Sequence, residues 1–327
     1  MGTNNVVLIH GLWMTPLSWE HWANHYTQRG YSVYAPSWPG MERDVRALRR
    51  APESYADIGF KQIVDHYEKL VIDLEHAPIL IGHSFGGLVV QALLDRGLGC
   101  CGVAIASAPI KGIWTLPYST MRVVTPQLLT MHNHRCSALT PAQFHYAFMN
   151  SSSREESFLT YERYAVPGPD RVLLQTELAN FNPFAETMVN TRRNNRAPLL
   201  LIAGSKDHLI PPRIVKANFR AYRHSTAVTE YKEFPDRTHF IIGQGGWEEV
   251  ANFTLRWARG QEVLVEREQR RIAREVRARQ AAEWGQAPFS RKWGLTPFIH
   301  LAIARPTRSS STCATISGQS CRVREYA

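Results

Sequence analysis

Long apolar runs are missing from this chain of 327 residues. No stretch approaches the ~18–20 consecutive apolar residues of a membrane-crossing helix, which argues against a bilayer span. Cysteine is scarce. The five present are Cys100, Cys101, Cys136, Cys313 and Cys321, an odd number at irregular spacing with the first two adjacent. Such a set supplies neither a disulfide framework nor the paired spacing of a zinc site, so reduced thiols are expected. Nor is there a clustered metal-ligand motif or a glycine-rich loop of the phosphate-cradling kind, so no metal and no cofactor are expected. The N-terminus has no basic stretch before Val6-Val7-Leu8-Ile9, and that run is too short for a secretory core. The expectation is a soluble, non-exported, cytoplasmic protein.

A net charge of +10 suggests nucleic acid until it is located. From Arg259 onward there are thirteen Lys and Arg against six Asp and Glu, a net of +7; the first 258 residues hold 25 against 22, a net of +3. The basic excess therefore belongs to the tail. In Glu262–Glu283 the signs alternate and no wide apolar stripe exists, which predicts a solvated charged helix rather than a nucleic-acid surface. The remainder to Ala327, including Ser309-Ser310-Ser311-Thr312, has the composition of a segment that does not fold alone.

What is present is rhythm. Short apolar runs read as buried strands at Asn5–Ile9, Tyr31–Ala35, Pro78–Gly82, Gly102–Ser107, Pro198–Gly204 and Ala227–Glu233. Helical patterns lie between and after them at Pro16–Gln28, Asp57–Leu74, Ser84–Arg96, Pro211–Arg223 and Gly246–Arg259. Strand–helix alternation predicts an α/β fold: a doubly wound, mostly parallel sheet of about six strands with helices on both faces. From Ile110 to about Ala197 no strand is evident, while Pro141–Asn150 and Arg154–Tyr164 read as helices. An insertion that long between core strands predicts a helical cap. The expected organisation is a core of residues 1–109 and 198–259, a cap of 110–197 and a charged, irregular tail of 260–327.

Four turns carry chemistry. Gly82-His83-Ser84-Phe85-Gly86-Gly87 follows the strand Pro78-Ile79-Leu80-Ile81 and opens a helix. This G-x-S-x-G between strand and helix is a nucleophile elbow, which exposes a serine hydroxyl to base and substrate at once. The helix start adds N–H groups near developing negative charge. At Ile9-His10-Gly11-Leu12-Trp13 the first strand ends in a His-Gly turn, so the backbone N–H groups of Leu12 and Phe85 are candidates for an oxyanion hole, with His10 structural. Leu199–Asp207 gives a strand, a turn and a carboxylate three residues past Gly204; Asp207 suits a histidine Nδ1–H, although a helix-capping role ahead of Pro211 stands beside that reading. Lys206 and His208 on either side are expected to be exposed. His239 follows the last strand and precedes the last helix, in the order Ser, acid, His. Asp236 is a rival acid, but three residues away on the same loop it is poorly placed for the far ring nitrogen.

These segments resemble the α/β-hydrolase superfamily over Asn4 to about Arg259, and within it the capped esterases, lactonases and cofactor-free haloperoxidases. The resemblance implies catalytic loops at the sheet's C-terminal edge and a triad of Ser84, His239 and Asp207. The chemistry it implies is hydrolysis of an ester, thioester or lactone of a small, apolar acyl substrate through an acyl-enzyme. Carbon–carbon hydrolase, lyase or perhydrolase chemistry on the same triad is the alternative, and a non-catalytic ligand-binding protein a further one. The chain departs by starting at a strand that a hairpin usually precedes, and by running some 68 residues past the usual last helix. Candidate pocket residues, each equally able to be cap core, are Trp13, Trp114, Tyr118, Phe144, Phe148, Tyr161 and Phe184. The expected partner is a small acyl substrate, with no nucleic acid; oligomeric state is not readable.

Overall fold

The apolar runs assemble side by side. The computed structural model describes residues 4–130 and 135–285. Its strands are β1 (Asn5–Ile9), β2 (Ser32–Tyr34), β3 (Ile79–His83), β4 (Cys101–Ile105), a two-residue pair β5 (Cys136–Ser137) and β6 (Gly168–Pro169), then β7 (Leu199–Gly204) and β8 (Thr229–Phe234). Six of them form one sheet in the order β2-β1-β3-β4-β7-β8, every pair parallel. Every residue of β3, β4 and β7 is buried. That explains their unbroken Ile, Leu and Val content: a parallel sheet covered on both faces has no polar side to present.

The helices are α1 (Glu20–Thr27), α2 (Val45–Arg50), α3 (Phe60–Ile72), α4 (Phe85–Asp95), α5 (Tyr118–Thr130), α6 (Pro141–Phe148), α7 (Arg154–Tyr164), α8 (Asp170–Glu177), α9 (Pro212–Ala221) and α10 (Trp247–Gly285). In α3 the buried positions Phe60, Ile63, Val64, Tyr67 and Val71 recur every three or four residues, so one stripe faces the sheet. α4 packs on β3 and β4 and is buried almost all round, which is why it lacks charge until Asp95. α1 reaches the far end of the chain: Trp22 donates its indole N–H to the Ile242 carbonyl (2.8 Å) and Tyr26 its hydroxyl to the Ala251 carbonyl (2.8 Å).

Topology locates the site. From β1 the chain moves outward to β2, then returns to the other side of β1 as β3. The reversal opens a crevice past the carboxyl ends of β1 and β3, where α/β sheets bind their ligands. In register, Ile9 pairs with Gly82, so the Leu12 turn and the Ser84 turn emerge together.

Between β4 and β7 lies the helical insertion, α5 to α8. α6 and α7 are capped by Thr140, in a capping box with Gln143, and by Ser153. The expectation of no strand there is corrected by β5 and β6, which are antiparallel and too short to leave a sequence period. Three helices also escaped the pattern. α2 has six residues, α5 carries Pro126 inside it, and α8 has only two turns. The two stretches read at Gly246–Arg259 and Glu262–Glu283 are one helix, α10. Val263, Arg271 and Arg274 through Arg277 on it are exposed, as a solvated helix requires. The chain divides into two units, Met1–Arg274 and Glu275–Ala327. Cys313, Cys321 and the Ser309–Thr312 run lie outside the described residues. Among the described residues no helix is long and apolar enough to cross a membrane.

Candidate active site

Ser84 sits at φ +56°, ψ −117°, where a side chain is held only by surrounding constraint. The constraint is visible. Its N–H donates to the Ile105 carbonyl (2.9 Å), and its own carbonyl accepts from Gly87 (3.0 Å), Leu88 (3.3 Å) and Ala108 (3.0 Å). These bonds offset a backbone cost of about 1–3 kcal/mol. Two glycines make the turn possible. A Cβ on Gly82 would run into the Gly86 carbonyl, and one on Gly86 into the Ile9 carbonyl.

Asp207 divides its carboxylate between two tasks. Oδ1 accepts from the backbone N–H of Leu209 (2.8 Å) and Ile210 (2.7 Å); Oδ2 lies 2.7 Å from His239 Nδ1. The helix-capping alternative is corrected: Oδ1 holds the turn at Leu209 and Ile210, while α9 starts after Pro211 with no side-chain cap. A carboxylate acceptor places the proton on Nδ1 and leaves Nε2 with a lone pair. Nε2 is buried with no hydrogen-bond partner among the described residues, and Ser84 Oγ does not bond it. Asp236 is exposed, on a backbone at φ +55°, with its N–H on the Ser205 hydroxyl.

His239 is gripped from three sides. Phe148, at the end of α6, sets its ring edge-to-face at 4.8 Å and accepts the Phe240 N–H on its carbonyl (2.9 Å). His83, next to Ser84, lies 4.7 Å away ring to ring and donates Nε2–H to the His239 carbonyl at 2.7 Å. Burial, then the neighbouring His239, pushes the His83 pKa well below its ordinary value, so the ring stays neutral. Nothing in the sequence singled out a role for His83; only the folded contact does.

His10 is equally neutral, its pKa pushed down to about 4 by burial. Its Nε2 accepts the Trp38 N–H (3.2 Å), and Nδ1–H donates to the Gly11 carbonyl (3.0 Å), which holds the turn carrying Leu12. Among the described residues neither the Leu12 nor the Phe85 N–H finds a partner. Lys206 is exposed, but His208 is not: it is half-buried, with Nδ1 3.1 Å from the Tyr146 carbonyl, so it ties the Asp207 loop to α6. That corrects the expectation of an exposed flank.

Ser84 opens into a mostly apolar cavity of about 110 Å³ lined by the β1 and β4 loops, α5 and α8. Of the aromatic candidates, Trp13 and Trp114 line it. Trp13 is fixed by its indole N–H on the Ser137 carbonyl (3.0 Å). Phe144 and Phe148 are buried and stacked at 4.7 Å as cap core. Tyr161 lines a second cavity and bonds the Leu139 carbonyl, while Tyr118 and Phe184 point out to solvent. Glu177 lines the Ser84 cavity too, though no local pattern marked it. Among the described residues no group of His, Cys, Asp and Glu is arranged to hold a metal ion.

Comparison with known proteins agrees with this architecture. The model of the alpha/beta hydrolase family matches residues 6–253. The chain belongs to the alpha/beta hydrolase family. Among solved structures, this family member resembles a monoacylglycerol lipase of Paleococcus ferrophilus (TM-score 0.57, 20% identity, 80% of this chain and 97% of that one). It resembles a thermophilic esterase from Thermogutta terrifontis to the same TM-score of 0.57 (16% identity, 80% and 92% covered). A Mycobacterium tuberculosis protein named as a non-heme bromoperoxidase aligns with TM-score 0.59 (17% identity, 80% and 94% covered). No curated protein matches this hydrolase-family chain.

Proposed function

We propose that the chain is a serine hydrolase that cleaves a carboxylic ester, thioester or lactone of a small, largely apolar substrate, with Ser84 as nucleophile, His239 as base and Asp207 orienting the base. The observation that carries this reading is the Asp207 Oδ2 to His239 Nδ1 contact of 2.7 Å, which leaves a buried, unpartnered Nε2 beside a strained serine elbow. A carboxylate on one nitrogen and an open lone pair on the other is the arrangement a general base needs. A bond from Ser84 Oγ to Nε2 forms when substrate closes the site, since such catalytic bonds are commonly made only in the complex.

In the reaction, Ser84 Oγ attacks the carbonyl carbon while its proton passes to His239 Nε2. The tetrahedral oxyanion takes hydrogen bonds from the Leu12 and Phe85 N–H groups. The C–O or C–S bond then breaks, the leaving group departs with the proton from Nε2, and an acyl-Ser84 ester remains. Water attacks that ester, gives its proton to Nε2, and releases the acid as Ser84 regains its hydrogen. The same proposal takes residues 1–109 and 198–259 as core and 110–197 as the cap that shapes the pocket.

A fluorophosphonate probe tests it. Labelling of wild type on Ser84, and none of Ser84→Ala, is the expected result; a folded wild type that stays unlabelled overturns the proposal.

A further inference from the structure

Glu177 ends α8, half-buried on the wall of the Ser84 cavity. A carboxylate at a helix C-terminus opposes the helix dipole. The wall around it is apolar, with Leu173 and Phe181 alongside, and burial alone pushes its pKa up to about 7. Among the described residues no hydrogen bond or ion pair reaches it. Three other polar side chains of the wall are engaged: Thr120 on the Leu209 carbonyl (2.7 Å), Thr176 on the Val172 carbonyl (3.1 Å) and Asn180 on the Ile113 carbonyl (2.8 Å). A half-buried acid on the cavity wall that no protein group engages is open to a ligand.

The surroundings say which ligand. Trp114 and Phe181 line the same cavity and meet edge-to-face at 5.6 Å. Aromatic faces beside a lone carboxylate attract a cation, by ring quadrupole and by charge. Among the described residues no other ionisable side chain lines the cavity. Lys111, on the loop after β4, is bound to the Asn182 and Pro183 carbonyls; Arg122 of α5 stacks over Tyr146; Arg171 of α8 donates to the Asp57 carbonyl.

We propose that Glu177 is the recognition carboxylate for an ammonium group, so that the preferred ester carries a cationic nitrogen lodged between Glu177 and the Trp114–Phe181 pair while its carbonyl reaches Ser84. The proposal rests on the ester-hydrolase reading for its substrate, but not for its binding site. It assigns the substrate class to amino or quaternary-ammonium esters. Glu177 must be ionised to act, so the preference for cations rises with pH through about 7.

Choline acetate and 3,3-dimethylbutyl acetate are near-isosteric and differ by the charge. In wild type the ratio of their kcat/KM values should favour choline and climb between pH 6 and 8. In Glu177→Gln the ratio should fall by about 3–10-fold, the scale of a charge contact at a half-exposed site, and lose its pH dependence. Taking a ratio cancels any pH effect common to the two esters. Binding is read separately by calorimetry on Ser84→Ala: choline should bind more tightly than 3,3-dimethylbutanol, and Glu177→Gln should remove the difference. If wild type hydrolyses neither ester and resists fluorophosphonate, the hydrolase reading fails while the calorimetry still decides this one. Choline bound no better than 3,3-dimethylbutanol, or a preference untouched by Glu177→Gln, overturns it. The Glu177→Gln protein should also melt no lower than wild type at pH 8, because the fold loses an opposed charge.

Discussion

The imidazole of His83 donates its Nε2–H to the backbone carbonyl of His239 at 2.7 Å. The residue before Ser84 thus holds the loop that carries His239, across 156 positions of sequence. His83→Ala leaves that carbonyl unpaired and the loop free to shift. Since a misplacement of roughly 1 Å can cost about 100-fold in rate, kcat should fall about 10–100-fold with KM little changed. His83→Gln, whose amide can donate in the same direction, should recover part of it. Steady-state kinetics at matched folded fraction would show this; a loss confined to thermal stability, with kcat intact, would leave His83 as packing only.

Asp207 should separate its two tasks under Asp207→Asn. The amide retains an oxygen for the Leu209 and Ile210 N–H groups but turns an N–H donor toward His239, which favours the wrong tautomer. Ester hydrolysis should drop by about 10⁴, the scale of such a change in other triads, with only a small fall in Tm. A variant within tenfold of wild-type kcat would remove Asp207 from the mechanism.

Acid stability should follow the buried neutral histidines. His10 has its folded pKa pushed from the ordinary 6.5 down to about 4. Between those values the unfolded chain binds a proton that the native state refuses, so stability falls as pH drops from about 6.5 to 4. The loss from this one fully buried group is on the order of 3 kcal/mol. His10→Gln should be less stable at pH 7 but lose less on going to pH 4.5. Urea melts at the two pH values measure it, and an unchanged slope with pH would contradict the assignment.

Gly86→Ala should fail in folding rather than in chemistry. The added methyl meets the backbone carbonyl of Ile9, and neither strand nor helix can yield. The cost should exceed the ~1–3 kcal/mol usual for overpacking. Expression with a wild-type Tm would contradict the close β1–α4 approach at Gly86.

The sheet was legible because its signals are local. Ile79-Leu80-Ile81 and Leu199–Ile202 are apolar throughout, and such runs bounded by turns are strands whichever neighbours they find. The elbow and the Gly204–Asp207 turn were legible for the same reason: steric limits on a glycine and the spacing of a turn act within a few residues. The cap was not. α5 carries a proline, α8 is two turns long, and β5 and β6 have two residues each, so none can establish a period of its own. Packing against Trp13 and the sheet edge decides them.

Sequence alone determined the parallel α/β architecture and singled out the turns that carry Ser84, Asp207 and His239, because backbone propensity, burial pattern and turn sterics are short-range. Tertiary structure decided what long-range proximity controls. It divided the Asp207 carboxylate between a turn and an imidazole, and placed His83 under the His239 loop. It sorted seven aromatic candidates into wall, core and surface, and left Glu177 alone in an apolar cavity. A charge has no environment until the chain around it is folded, and for that reason no reading of residues in order could have found it.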